Sequence, residues 1–424
     1  MNAVMKEKPA PISADDLPDV ATQPIEELDP TLQIRFQADT QDAVFARLRK
    51  EAPVHYLKDS QYGPLWNVTR YKDIVDIEID HPTFSSDVKY GGILIKDLPE
   101  NMRRTSFINA DPPLHDEQRK VVSPVVAPGN LLRMEERIRN EVRQILDGLP
   151  VGETFDWVDR VAIELTGRVL AELMDTPREE RRLLTYWSDI VNVDLHVGGE
   201  IDTEEKRYAK LKECAAYFGK LFDQRKGQAP GPDLISMLAH SPATANMPAQ
   251  EFLGMIVLLM VGGNDTTRNS ITGGLLALND FPEQYAKLRA NPQLVGNMVP
   301  EIIRWVTPVP HMRRTVTRDT EFRGHKMREG DKVVIWYISG NRDETAIPDP
   351  YAFRIDRQNP RAHLSFGMGI HRCLGNRLAE LQLKVLWEEI LKRPWVIDVV
   401  GPAKRKYANN LRGFSSLPVQ IRTA

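Results

Sequence analysis

Cys373 lies in Phe366-Gly367-Met368-Gly369-Ile370-His371-Arg372-Cys373-Leu374-Gly375, just before a strong helical pattern. A cysteine at a helix start, ringed by glycines, is a place to hold a metal. Helix-start amides and the helix dipole lower a thiol's pKa and favour the thiolate. Thiolate is one of the few protein ligands for haem iron, and its electron density favours O–O cleavage. Gly367, Gly369 and Gly375 would let the backbone approach a flat macrocycle that side chains would block. An isolated Cys-x-Gly reads more simply as a buried structural cysteine near a helix cap. The longer pattern argues otherwise. With 13 Phe and 26 Gly in 424 residues, Phe seven before, Gly four before and Gly two after either of the two cysteines has a chance of roughly 2 in 10,000.

Three further groups could do chemistry. Gly262-Gly263-Asn264-Asp265-Thr266-Thr267 stands inside a helical pattern from Ala249 to Leu278. Each glycine weakens a helix by roughly 1 kcal/mol against alanine, and the pair opens space beside the backbone. An acid and a hydroxyl in that gap can pass protons to a bound ligand. The same residues read equally well as a helix break, with Gly262-Gly263 as a C-cap and Asp265 as the next N-cap. Glu301 and Arg304 are three apart on one helical face, a spacing common in surface pairs worth under about 1 kcal/mol. His115 and Arg119 follow Pro112-Pro113, which suits a helix start, and fall four apart on one face.

The elements that must position these groups are mostly helical. Helical patterns cover Asp42 to Glu51, Tyr71 to Ile79, Leu131 to Leu149, Trp157 to Leu173, Arg178 to Val193, Glu204 to Lys226, Asp233 to Leu238, Ala249 to Leu278, Val295 to Trp305 and Leu374 to Lys392. Short strands are expected at Val54 to Leu57, Leu65 to Val68, Glu321 to Arg323 and Lys332 to Tyr337, and in the tail after Trp395. Ser85 to Pro113 has little periodicity and reads as a loop region. The central helix is apolar on all sides in its first half, so it is buried. No Pro/Gly/Ser linker divides the chain, which predicts one domain over residues 41–424, preceded by an extended arm over residues 1–40. Met1 to Pro30 carries five prolines and seven acids against two lysines, with no apolar core of a signal peptide.

Bulk properties exclude several classes. A net charge of −3 gives no argument for nucleic acid or a membrane surface. The most apolar run, Phe252 to Val261, is too short to span a bilayer. Cys214 and Cys373 form no disulfide framework, which fits a reducing, cytoplasmic setting.

The decapeptide around Cys373 resembles the haem-binding loop of the cytochrome P-450 family, the haem-thiolate monooxygenases. Four other segments match the family in its order. Asp265 and Thr266 match its acid-threonine pair, placed over the iron on a long central helix. Glu301 and Arg304 match its buried Glu-x-x-Arg pair. Arg357, in the segment Asp349 to Arg357, fits the third member of that brace. Asp111-Pro112-Pro113-Leu114-His115, leading to Arg119, matches the motif whose His and Arg hold a haem propionate. Arg314, five before Asp319, fits the other propionate arginine, and His371 fits the propionate histidine two before the thiolate. Haem carboxylates inside a protein need such partners, since unpaired burial is costly. The resemblance implies a mainly α fold with small sheets, haem b, O2 as co-substrate, and electrons from NAD(P)H. Those electrons come through a separate ferredoxin and its reductase, since the chain ends soon after the last helix with no fused reductase. Lys120, Arg372 and Arg377 are candidates for a basic docking patch.

The finer resemblance is to the bacterial subfamily that hydroxylates the terminal carbon of alkanes and fatty acids. It rests on Val261 to Asn269, His311 to Thr315, Trp336 to Asp343 and Asn376 to Leu383. These stretches mark lineage more than pocket. Pocket candidates are Tyr90 to Leu98, Val193 to His196, Leu258 to Gly262, Val309 to Met312 and Phe414 to Ser416, all largely apolar. Leu258, Val309 and Phe414 are expected to narrow the channel, with Gly262 keeping the space above the iron clear. The alternatives are a terpene or steroid hydroxylase on the same fold, and a haem sensor or oxygen carrier. Asp265-Thr266 argues against the sensor, which needs no proton relay, and against a peroxide-driven branch that typically lacks the pair.

Overall fold

The structure is a computed structural model that describes residues 13–14, 17–193, 195 and 199–423. Helices α1 (Gln33–Gln37) and α2 (Gln41–Glu51) lead into strands β1 (Val54–Leu57) and β2 (Leu65–Val68), then α3 (Tyr71–Ile79) and β3 (Phe84–Ser85). A helical body follows: α4 (Leu114–Val122), α5 (Pro128–Asp147), a short strand β4 (Thr154–Asp156), α6 (Glu164–Met174), α7 (Arg181–Asn192), α8 (Glu204–Lys226), α9 (Leu234–His240), α10 (Ala249–Asp280), α11 (Pro282–Ala290) and α12 (Val295–Val306). Strands β5 (Met312–Val316), β6 (Thr320–Phe322), β7 (His325–Met327) and β8 (Lys332–Ile335), a turn α13 (Tyr337–Gly340), helix α14 (Asn376–Leu391) and strands β9 (Trp395–Val399), β10 (Lys404–Arg405), β11 (Phe414–Ser416) and β12 (Pro418–Thr423) complete it. No helix among the described residues is long and apolar enough to cross a membrane.

The strands form small sheets beside the helices. The largest has the order β1-β2-β8-β5-β3. Its β2 and β8 run parallel, joining the N-terminal hairpin to the chain that follows α12. A second sheet, β4-β12-β9, fastens the C-terminus to the helical body.

Helix α10 is the axis of the body. At 32 residues it is about 48 Å long, and it packs against α6, α7, α8, α12 and α14. It runs unbroken through Gly262-Gly263, so the helix-break reading of those residues does not hold. Gly254 has a separate task. The carbonyl oxygen of Thr105 lies 2.0 Å from where a Cβ on residue 254 would sit. Only glycine lets the loop before α4 rest against the helix backbone there.

Three expectations need correction. The arm is not extended throughout: Ile25–Glu27 forms a turn, Leu28 packs with Val44 and Leu48, and Phe36 stacks near Trp336. Apolar residues spaced for burial overrode the Pro-rich, acidic composition. Helix α11 was missed because it is short, opens on Pro282, and buries only Gln284, Tyr285 and Leu288. Strand β5 was missed because Arg313 and Arg314 do not look like buried strand residues. Both are buried, with carboxylate or carbonyl partners.

The candidate brace is present as a buried charge cluster. Glu301 is fully buried, and Arg304 donates to both its oxygens at 2.7 and 2.8 Å. Arg357 donates to Glu301 Oε2 at 2.9 Å, and the Arg354 amide to Oε1 at 2.8 Å. The guanidinium groups also bind the carbonyls of Asn341, Pro348, Asp349, Pro350 and Ala352. Four N–H donors from three residues therefore converge on one carboxylate. Removing it in Glu301→Ala leaves two arginines buried without their counterion, and stability is expected to fall by about 3–5 kcal/mol. Urea unfolding followed by circular dichroism reads this out, and a loss below 1 kcal/mol would mean that the cluster behaves like a surface pair.

Candidate haem-thiolate active site

Cys373 stands on the floor of a chamber whose other walls include α10 and the segments around Phe107 and Val309. The loop that carries it is closed by the Cys373 amide donating to the Phe366 carbonyl at 2.7 Å. Gly367 and Gly369 both adopt φ of 63°, a left-handed conformation that favours glycine. A Cβ at residue 369 would also lie 2.4 Å from the Glu78 carbonyl oxygen. The loop is thus pressed onto the end of α3, and glycine at 369 is a packing requirement.

Cys373 is exposed only in the sense that it faces the chamber. Elsewhere the protein closes around it, and that burial pushes its thiol pKa up. The amides of Gly375 and Asn376 and the charges of Arg119 and Arg372 pull the other way. The helix-start effect expected from the sequence is therefore real but outweighed. A metal on the sulfur would deprotonate it outright.

The donors expected for haem carboxylates are gathered beside it. His115 and His371 stack edge to face at 4.7 Å. His115 Nε2 and both ring nitrogens of His371 are buried without partners. Burial, with Arg314 next, pulls the His371 pKa down to about 2, so its ring is neutral. Arg119 lines the same chamber and donates to the Arg372 carbonyl at 2.5 Å. Gly262 on the α10 wall and Gly375 on the Cys373 wall have nothing within 4 Å of a Cβ position. Orphaned donors at one edge and open glycine walls fit a flat group carrying carboxylates. Cys373 would be its metal ligand, and His115, Arg119 and His371 its carboxylate partners.

Arg314 has a protein partner that the sequence reading did not foresee. It is buried and bound to Glu78 Oε1 at 2.9 Å. Glu78 also accepts from Tyr337 Oη at 2.6 Å and from the Met368 amide at 2.5 Å. Burial raises the Glu78 pKa despite these three donors. The sequence reading missed Glu78, although a signal existed: it sits four residues after Ile74, on the apolar face of α3.

Asp265 and Thr266 part ways in the structure. Thr266 lines the chamber, and its Oγ1 donates back to the Gly262 carbonyl at 3.3 Å. Asp265 is fully buried and does not line the chamber. It pairs with Arg268, three residues on, and accepts from Ser188 at 2.6 Å and Asn192 at 2.7 Å. Arg268 in turn reaches Asp189 at 2.8 Å, which also holds Lys406 at 2.7 Å.

Of the pocket candidates, Leu258, Gly262, Val309 and Met312 line the chamber. Phe414 does not. It packs over Gly273, and its amide donates to Asn269 Oδ1 at 2.9 Å, which turns β11 toward a later stretch of α10. Within Tyr90 to Leu98, Leu94 and Leu98 line a separate small cavity. Val193 is not a chamber residue, and residues 194 and 196 of that segment lie outside the described residues.

Comparisons with known proteins follow the same lines. A family model described as Cytochrome P450 matches residues 201–396. The chain is 35% identical over 392 residues to linalool 8-monooxygenase of Pseudomonas putida, covering 89% of this chain and 95% of that one. It is 32% identical over 398 residues to a methyl-branched lipid omega-hydroxylase of Mycobacterium tuberculosis, covering 90% and 91%. Among solved structures, cytochrome P450-153 from Novosphingobium aromaticivorans superposes with a TM-score of 0.88 at 44% identity, covering 93% of this chain and all of that one.

If Cys373 carries the metal, Cys373→His should abolish the thiolate-type absorption of the reduced carbon monoxide complex. Retention of that spectrum would hand the role to another group, such as Cys214.

Proposed function

This chain belongs to the cytochrome P450 family, and on that premise we propose that it hydroxylates the terminal carbon of linear, medium-chain alkanes or fatty acids. The family works with haem b, O2 and electrons from NAD(P)H delivered by redox partners. When bound, the haem supplies oxygen activation: one atom of O2 enters a C–H bond and the other leaves as water, at the expense of two electrons and two protons. What remains for the protein is to place the substrate, exclude water and meter protons.

The observation that carries the terminal reading is the chamber wall. Leu258 and Val309 are apolar side chains of that wall, while Gly262 is open. A terminal hydroxylase works against chemical bias, because a methyl C–H bond is stronger than the methylene bond beside it. Each 1.36 kcal/mol of that difference favours internal attack about tenfold. Position must therefore decide, with the methyl group held at the reaction centre and the methylenes kept away. The likeness to an omega-hydroxylase supports this reading. The likeness to linalool 8-monooxygenase favours a second one, oxidation of a terpene.

Thr266 holds the proton nearest the reaction, at an Oγ1 that faces the chamber. Asp265 stands behind it as a buried acid whose charge is balanced by Arg268. Asp189, 41% exposed at its side chain, links that pair to the outside. Lys120, Arg372 and Arg377 are all exposed and are assigned to docking of an acidic iron–sulfur donor, an association that salt would weaken.

Two measurements test these roles. Thr266→Ala should keep haem and substrate binding while reducing equivalents leak to hydrogen peroxide. Unchanged coupling of NAD(P)H use to product would remove Thr266 from the relay. Octane should give mainly the 1-alcohol, and Val309→Ala or Leu258→Ala should shift product toward the 2-position. Faster turnover of a cyclic terpene than of any linear alkane or fatty acid would decide for the second reading.

A further inference from the structure

A second, smaller cavity of about 70 Å³ lies between the loop before α4, the end of α7 and the first turns of α8. Its apolar walls include Leu94, Leu98, Met102 and Leu211, and its polar groups are two cations, Arg104 and Arg207, one acid, Glu204, and the neutral Tyr208, Asn192 and Asn410. Among the described residues, the cations there outnumber the acids that pair with them. Glu204 is shared by Lys96 at 2.5 Å and Arg207 at 3.0 Å. Asp97, the other nearby acid of that loop, is held by Arg313 and Lys332 at 2.6 Å each. The Arg104 side chain has no ion pair or hydrogen bond among the described residues, its backbone carbonyl alone accepting from Asn109, and Arg207 Nε is buried without a partner. Burial, then repulsion from Arg207, pulls the Arg104 pKa down to about 10 against the opposing pull of Glu204 and Tyr208, so the guanidinium stays charged at neutral pH. A charged guanidinium in a largely apolar cavity is costly until an anion meets it.

The cavity shares no lining residue with the Cys373 chamber but is tied to it in two ways. Arg104 lines the small cavity, and Phe107 and Ile108, three and four residues on, line the chamber. At about 3.3–3.6 Å per residue, that stretch spans at most roughly 14 Å. Asn192 and Asn410 line the small cavity and are hydrogen-bonded to each other at 3.2 Å, and Asn192 also donates to Asp265, next to the chamber residue Thr266.

We propose that Arg104, with Arg207 and Tyr208, binds the carboxylate of a linear fatty acid whose methyl end lies in the Cys373 chamber. This rests on the terminal-hydroxylase reading and chooses between its two substrate classes. Guanidinium and phenol donors suit a carboxylate, and charge-assisted bonds are about twice as strong as neutral ones. An alkane would leave Arg104 unpaired.

The test titrates the haem-loaded protein with decanoate, methyl decanoate and decane, following the haem absorption change. Decanoate should bind at least tenfold more tightly than its methyl ester, and rising salt should weaken decanoate but not decane. Arg104→Leu, which keeps the volume and drops the charge, should weaken decanoate about tenfold or more and leave decane unchanged. Arg104→Lys should restore part of the loss. Equal affinity for acid and ester in the unaltered protein overturns the proposal, and needs no variant to fold. An Arg104→Leu effect of equal size on decane and decanoate overturns it too, since that reports altered packing. Product position is read separately: decanoate that binds in this charge-dependent way but is oxidised away from the methyl end would sink the terminal reading while leaving the carboxylate site standing.

Discussion

The Glu301 carboxylate is the point on which the architecture turns. Its four donors come from α12 and from the chain between Ala352 and Arg357, which has no regular structure of its own. That stretch cannot be held by a helix or a sheet ladder, so it is held by arginines reading its carbonyls. From there Asn341 carries order onward, accepting from the Leu364 amide at 2.6 Å and donating to Ser365 and Thr307 at 2.8 Å. Phe366, whose carbonyl receives the Cys373 amide, is the next residue. The position of the thiol thus descends from one buried charge cluster through a short series of hydrogen bonds. A buried ion cluster is a poor source of stability compared with apolar packing. Its use here is geometric: charges with fixed donors have few ways to be satisfied.

Charge around the chamber is arranged by the same economy of partners. Buried acids sit where several donors converge, as at Glu78 and Asp265. At the chamber edge His371 is kept neutral by burial, with Arg314 next. Cys373 is a buried thiol whose amide and guanidinium neighbours only partly offset the cost of ionising it. His115 Nε2 and both ring nitrogens of His371 are left without partners beside the chamber, so its edge has a chemical complement as well as a shape.

Much of this was legible beforehand. Helix α8 begins and ends where its pattern predicts, because Thr203 caps one end ahead of Glu204 and Glu205, and Arg225, Lys226 and Gly227 mark the other. Cys373, the Glu301 cluster and Thr266 were legible because motif spacing on helices and tight glycine turns is local. What escaped was tertiary. No local signal says that Arg314 will meet Glu78, 236 positions earlier, or that Asp265 will face α7 while its neighbour faces the chamber. Phe414 was misplaced for a related reason: a single apolar residue in a short strand can pack on either side of α10, and the side was settled by the Asn269 side chain. Arg104 was passed over because an arginine in an aperiodic loop reads as surface, and its isolation shows only once the partners of the surrounding acids are known.

Gly254 sets a boundary on how such a protein can diversify. Side chains such as Leu258 and Val309 can be exchanged to reshape the chamber without moving the backbone. Residue 254 offers no such freedom: the nearest obstacle to a Cβ is backbone, the Thr105 carbonyl, which cannot rotate out of the way. A substitution there would lift the 104–108 segment off α10 and displace both cavities together. New specificities are therefore open to this chain through its bulky wall residues, while the spacing between its two cavities is inherited as a unit.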